Sequence, residues 1–266
     1  DLERAKSLPP DAPTDNAYVK VDQTPLEWAR YAANVVHRKA EEWEGYQQRF
    51  PAMLDKKIFL SIDEYAYFGG GFGRGVNLKL ALAYGMLFNE MLRHTGFLTM
   101  SAHTMGVSTL DYNSTAAALN TTGLVFKLYG DQMGAGMLPV AVSGDSPQPA
   151  PQFPIGGDQP KTNSGSPTYP LDMVAALTPD RKYLDIAVVN ATETEQRFDL
   201  NVSGARLEGP VKMWQVTGKD LEAANHVGQL PQVEVKEIAI GDAPHSLTVA
   251  PISVNIFRVP LGGGAK

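Results

Sequence analysis

Two acids, Asp63 and Glu64, close the apolar run Ile58-Phe59-Leu60-Ser61-Ile62; the aromatics Tyr65, Tyr67 and Phe68 follow, then a burst of glycine over residues 69–75. A positioned carboxylate can attack a sugar carbon or move a proton, and rings beside it offer faces on which sugars stack. Side chains alternate along a strand, so the pattern predicts one acid facing a ligand and the other pinning the loop. At the C-terminal end of a parallel strand, where α/β proteins build their ligand crevices, such an acid has a functional place. The competing reading is a pair of solvated acids that merely ends a strand. His103, in FLTMSAHTMG, falls near the end of a second strand-like run and can reach the same crevice. His37, His94, His226 and His245 are scattered without metal-ligand spacing, and carboxylate attack on a sugar is expected to ask for neither a metal nor an organic cofactor. Gly69 to Gly75 fits neither phosphate-binding spacing, and no serine sits on a nucleophile elbow.

The segments that must hold these residues fall into two classes. Thr24-Pro25-Leu26-Glu27 reads as a capping box opening a helix that ends near Phe50-Pro51. Ile58 to Ile62 reads as a strand buried on both faces, Asn77 to His94 as a helix apolar almost all round, Phe97 to Met105 as a strand, and Thr121 to Tyr129 as a helix. Helix and strand in alternation predict parallel strands with helical crossovers. Beyond Gly130 comes a Pro/Gly/Ser-rich stretch of linker or long loops. Short alternating runs follow, at 174–177, 183–189, 211–216, 233–235 and 247–249, as in an antiparallel sandwich or jelly roll.

Composition narrows the function classes. The 266 residues are 43% hydrophobic and carry a net charge of -6, as ordinary globular proteins do. No lysine/arginine block offers the footprint that nucleic acid requires. Cysteine is absent, which removes disulfides and thiolate chemistry. No apolar run nears the roughly 20 residues of a membrane helix. The compartment stays open between secreted, periplasmic and cytoplasmic.

KKIFLSIDEYAYFGGG, RGVNLKLALAYGMLFNEMLRHTGFLTMSAHTMG, ALNTTGLVFKLYGD and the terminal LTVAPISVNIFRVPL resemble the C-terminal half of an α-L-arabinofuranosidase of glycoside hydrolase family 51. The resemblance implies the C-terminal part of a (β/α)8 barrel over residues 1–132 and a jelly-roll β-sandwich over 133–266. It also implies a retaining hydrolase that releases α-L-arabinofuranosyl residues. The family's Asp-Glu-aromatic motif falls on Asp63, Glu64 and Tyr65, which makes Glu64 the nucleophile; where the family more often continues Trp-Asn, this chain has Tyr65 and Ala66. Tyr65, Phe68, His103, Asn120 and Thr121 become the sugar-contacting candidates. Retention needs a second carboxyl group about 5 Å from the first, and no Asn-Glu strand end precedes Glu64. Asn89-Glu90 sits in mid-helix and reads as structural. The acid/base glutamate is therefore expected from an N-terminal segment, within one longer product or on a separate chain. Other readings are a carbohydrate-binding module with Trp214 and Tyr183 as stacking platforms, a structural subunit that self-associates through helix 77–94, and another barrel glycosidase of xylosidase or endoglucanase type.

Overall fold

The computed structural model describes residues 24–66, 76–104, 109–152, 160–242 and 245–262; Tyr67, Phe68 and the glycines 69–75 lie outside them. Helix α1 (Pro25–Arg49) starts as its sequence dictates. The Thr24 hydroxyl accepts from the Glu27 N–H, the Glu27 carboxylate accepts from the Thr24 N–H, and Phe50 is the C-cap. After the short α2 (Ala52–Asp55) come β1 (Leu60–Tyr65), the crossover helix α3 (Leu78–Arg93) and β2 (Leu98–His103), with β1 and β2 paired in parallel. A small hairpin, β3 (Leu110–Tyr112) and β4 (Ala117–Leu119), leads into α4 (Thr121–Gln132).

The second half is sheet. Strands β5 (Leu138–Val140), β6 (Asp172–Leu177), β7 (Tyr183–Asn190), β8 (Gln196–Asp199), β9 (Arg206–Leu207), β10 (Pro210–Thr217), β11 (Glu234–Asp242), β12 (Ser246–Val249) and β13 (Ser253–Gly262) are all antiparallel to their neighbours. The large sheet runs β11-β10-β13-β7-β6-β5, with β9 on the end of β13, and β12 with β8 makes a separate ribbon. Period-two alternation divides the large sheet between two cores. Leu184, Ile186 and Val188 of β7 meet Leu247 and Val249 of the ribbon, while Ala187 and Val189 join the core of the helices. Both faces of β7 are thus covered, which explains its nearly unbroken apolar sequence. No helix among the described residues is long and apolar enough to cross a membrane.

Helix α3 is buried at Leu78 and from Leu80 to Met91 because α1, α4, β1 and the large sheet surround it. Gly85 lets it approach the sheet: a Cβ there would stand 2.8 Å from a Val189 methyl. The Pro/Gly/Ser-rich stretch is fastened along α1 rather than hanging as a linker. Arg30 donates to Asn163 at 2.8 Å, Asn34 donates to Gln152 at 3.0 Å, and the Gly165 N–H donates to Glu90 at 3.0 Å.

One element departs from its sequence reading. The apolar run before the acids is not buried on both faces: the strand begins at Leu60, and Ile58 and Phe59 are 43% and 51% exposed. The helices cover only one face of the β1/β2 pair, and neither strand has a further partner among the described residues. Met100 of β2 is likewise 59% exposed.

Candidate active site

The acids stand where strict alternation breaks. Ile62 pairs with Ser101 and Tyr65 with His103, so β1 spends three steps where β2 spends two, and one extra residue lies between. Such a bulge, uncommon in parallel pairs, resets the alternation. Ile62 and Tyr65 both pack against the helix-side core, and Asp63 and Glu64 between them are both exposed. The expectation that alternation sends Asp63 and Glu64 to opposite faces, one toward a ligand and the other to pin the loop, is corrected accordingly: both are exposed, whereas a regular strand would have turned Glu64 toward the helices together with Ile62. Ser61 donates to Asp63 at 2.7 Å and holds that acid. Glu64 makes no side-chain hydrogen bond or ion pair among the described residues, which leaves its carboxylate available.

Around the strand ends the other candidates are packed into a supporting shell. The Tyr65 ring lies 5.2 Å from His103, edge to face; burial, opposed by a hydrogen bond with Ser101, pushes its phenol up to about 12. His103 is surrounded by Tyr65, Tyr84 and Phe126, with the Tyr84 hydroxyl 2.9 Å from its Nε2. Burial lowers its pKa, which favours the neutral imidazole over the cation. Asn120 is buried and caps α4, its Oδ1 accepting from the Gly123 N–H at 2.9 Å. Gly123 is required there, since a Cβ would fall 2.1 Å from the Thr109 carbonyl oxygen. Thr121 and Thr122 are fully buried, and neither hydroxyl has a partner among the described residues. The structure brings Glu64, Tyr65 and His103 to one end of the β1/β2 pair, joined by the Thr104 N–H donating to the Tyr65 carbonyl at 2.8 Å. Asn120 and Thr121 open the next helix. Phe68 lies outside the described residues.

Two features of the chemistry were hidden in the sequence. Histidines that look scattered are not: His37 of α1 and His94 at the end of α3 both meet the buried carboxylate of Glu90. Burial opposes the Glu90 charge, but hydrogen bonds from His37 and His94 and the Arg93 cation outweigh it and hold its pKa well below the usual carboxylate range. Burial also opposes the His37 cation, yet Glu90 raises its pKa. The four-residue step from Glu90 to His94 was the available signal; the approach of His37, 53 residues away from Glu90, had none. The stacking platforms Trp214 and Tyr183 are engaged as well. The Arg258 guanidinium sits 5.4 Å and 5.7 Å from their ring centres, and the Trp214 indole donates to Glu237 at 3.1 Å.

Comparison with known proteins gives a consistent result. The family model described as the alpha-L-arabinofuranosidase C-terminal domain matches residues 63–253. Among solved structures, the chain is similar to an alpha-L-arabinofuranosidase from Thermotoga maritima in its arabinose complex, with a TM-score of 0.72 at 15% identity over 90% of this chain and 51% of that one. It is also similar to the thermostable GH51 enzyme of Thermotoga petrophila RKU-1 (TM-score 0.69, 14% identity, 90% and 50% covered). A third is the GH51 arabinofuranosidase of Xanthomonas axonopodis pv. citri (TM-score 0.67, 18% identity, 88% and 47% covered). At such identities the likeness is one of fold. The chain spans about half the length of these relatives. No curated protein matches the sequence.

Proposed function

Since this chain belongs to the alpha-L-arabinofuranosidase C-terminal domain family, we propose that it is the C-terminal half of a retaining family 51 glycoside hydrolase acting on α-L-arabinofuranosides. In this reading residues 1–132 are the last part of a (β/α)8 barrel and residues 133–266 its jelly-roll domain. Glu64 is the nucleophile: its carboxylate attacks the anomeric carbon as the glycosidic bond breaks and the leaving oxygen takes a proton from the acid/base carboxyl, and water, deprotonated by that same group, then breaks the glycosyl-enzyme bond and frees Glu64. The acid/base carboxyl, about 5 Å away, comes from an N-terminal segment that also supplies the missing strands. Tyr65, Phe68, His103 and the opening of α4 at Asn120 and Thr121 form the wall around the sugar, with His103 acting as a neutral hydrogen-bonding group. Substrates are arabinose-containing polysaccharides or oligosaccharides.

The observation that carries this reading is the bulge at Asp63 and Glu64, which leaves both acids exposed between Ile62 and Tyr65, the two residues that pack against the helix-side core. Bulges concentrate beside active sites because they re-aim a side chain without loosening the strand that bears it. Support also comes from the edges of the β1/β2 pair, which have no strand partner among the described residues, and from the exposed Ile58, Phe59 and Met100, since a two-stranded parallel sheet with apolar residues in water calls for further strands.

The test is reconstitution. The chain, alone and with the N-terminal half of its enzyme, is assayed on an aryl α-L-arabinofuranoside. Activity is expected only for the pair, abolished by Glu64→Gln and restored in Glu64→Ala by added azide, a small nucleophile that takes the place of the lost carboxylate. Robust turnover by the chain alone refutes the need for a partner, and full activity in Glu64→Gln refutes the nucleophile.

A further inference from the structure

Away from the acidic end of β1, a second constellation lies between α1, α3 and the strap of residues 160–166. Glu90 is fully buried in α3, and His94, four residues on, lies one turn along the same face. Helix α1 brings His37 to the opposite side. The Glu90 Oε1 stands 2.7 Å from His37 Nδ1 and 2.8 Å from His94 Nε2, and the three donor atoms lie within 4.8 Å of one another. We propose that His37, Glu90 and His94 form a binding site for a divalent transition-metal cation of the zinc type, which fastens α1 to α3.

The donor set selects the ion. Two imidazoles and a carboxylate, without sulfur, suit zinc and its neighbours rather than calcium or magnesium, which take oxygen alone. The partners behind the donors are already in place. Glu90 Oε2 accepts from Arg93 at 2.6 Å and from the Gly165 N–H at 3.0 Å, which fixes the carboxylate and leaves Oε1 for the metal. The far nitrogen of His37 faces Glu41 at 3.7 Å, beyond a hydrogen bond but near enough for a small turn of the ring to complete the carboxylate–imidazole pair that orients metal-binding histidines. Arg93 divides its charge between Glu90 and Asp172, so it does not cancel that of Glu90 alone. The His37 and His94 side chains are 23% and 14% exposed, which gives water a route to a fourth position.

A small opening is required. Tetrahedral arms of about 2.0–2.1 Å set donors roughly 3.4 Å apart, so each imidazole retreats by about 0.6 Å from its present hydrogen bond, and the two ring nitrogens, which lie within 4.8 Å of each other, draw together as the metal replaces the bridging protons. His37, on a half-exposed stretch of α1, has the freedom to do so.

The experiment uses the full chain after treatment with a chelator. Zn²⁺ is titrated calorimetrically, and Co²⁺ is followed by its visible ligand-field bands, which are intense only in a four-coordinate site. One equivalent of each is expected to bind, and Zn²⁺ to raise the melting midpoint. His37→Gln and His94→Gln are each expected to weaken binding by more than the 10- to 100-fold that outer partners typically carry, and Glu41→Gln by about 10-fold. Melting of the metal-free variants verifies that they fold, and Glu90 is left intact because removing a buried, paired carboxylate endangers folding itself. Absence of stoichiometric binding by the parent chain, or binding of equal strength in either folded histidine variant, overturns the proposal.

Discussion

Replacing Gly85 by alanine adds a single methyl group where α3 crosses the large sheet, and the sign of its effect tests how β1 is held. In an exposed helix interior the change stabilises by about 1 kcal/mol, because alanine loses less backbone freedom than glycine. Here the new Cβ would lie 2.8 Å from a methyl of Val189 and 3.1 Å from a methyl of Val254. Carbon–carbon contacts are most favourable at about 3.5–4.0 Å, so α3 or the valines must give by roughly 0.7 Å. Both valines are fully buried, and β-branching restricts their escape to another rotamer. Overpacking of this kind costs about 1–3 kcal/mol, which leaves a net destabilisation of about 1 kcal/mol once the helix gain is set against it. Urea unfolding of the parent, Gly85→Ala, Val189→Ala and the double variant measures the coupling directly. The clash with Val189 disappears in the double variant, so a favourable coupling of about 1 kcal/mol or more is expected. A Gly85→Ala chain that is more stable than its parent, or two changes that simply add, would refute the tight helix-to-sheet contact.

Gly123→Ala is expected to be harsher, at least about 2–3 kcal/mol in the same assay, because its Cβ meets a backbone carbonyl at 2.1 Å rather than a movable side chain. Thr24→Ala removes the capping hydroxyl of α1 and should lower stability by about 1 kcal/mol, with Thr24→Ser restoring most of it. Arg258→Ala leaves Asp185, fully buried and bonded to the guanidinium at 2.7 Å and 2.9 Å, without a partner. A loss of about 3 kcal/mol is expected, and Arg258→Met combined with Asp185→Leu should recover much of it in thermal unfolding.

Local pattern decided a good deal of this molecule. The capping box at Thr24 and Glu27, the all-round apolar surface of residues 77–94, and the alternating runs from residue 174 onward identify their elements, because each signal is complete within one turn or one pleat. The motif around Asp63 and Glu64 pointed to a carboxylate at a strand end. The terminal strand β13, by contrast, alternates polar and apolar residues over Ser253-Val254-Asn255-Ile256 as a half-solvated strand would, yet Ser253 to Phe257 are buried without a break, since β13 lies in the middle of the large sheet with a core on either face. The bulge that leaves both acids exposed is a mismatch of register between β1 and β2, and register is a property of two strands. The meeting of His37 with Glu90 and His94 depends on how α1 packs against α3. Spacing along a chain fixes which face of a helix or strand a residue shares; which faces then meet is settled only when long-range packing closes the core, and both the exposure of Glu64 and the histidine–glutamate cluster belong to that later step.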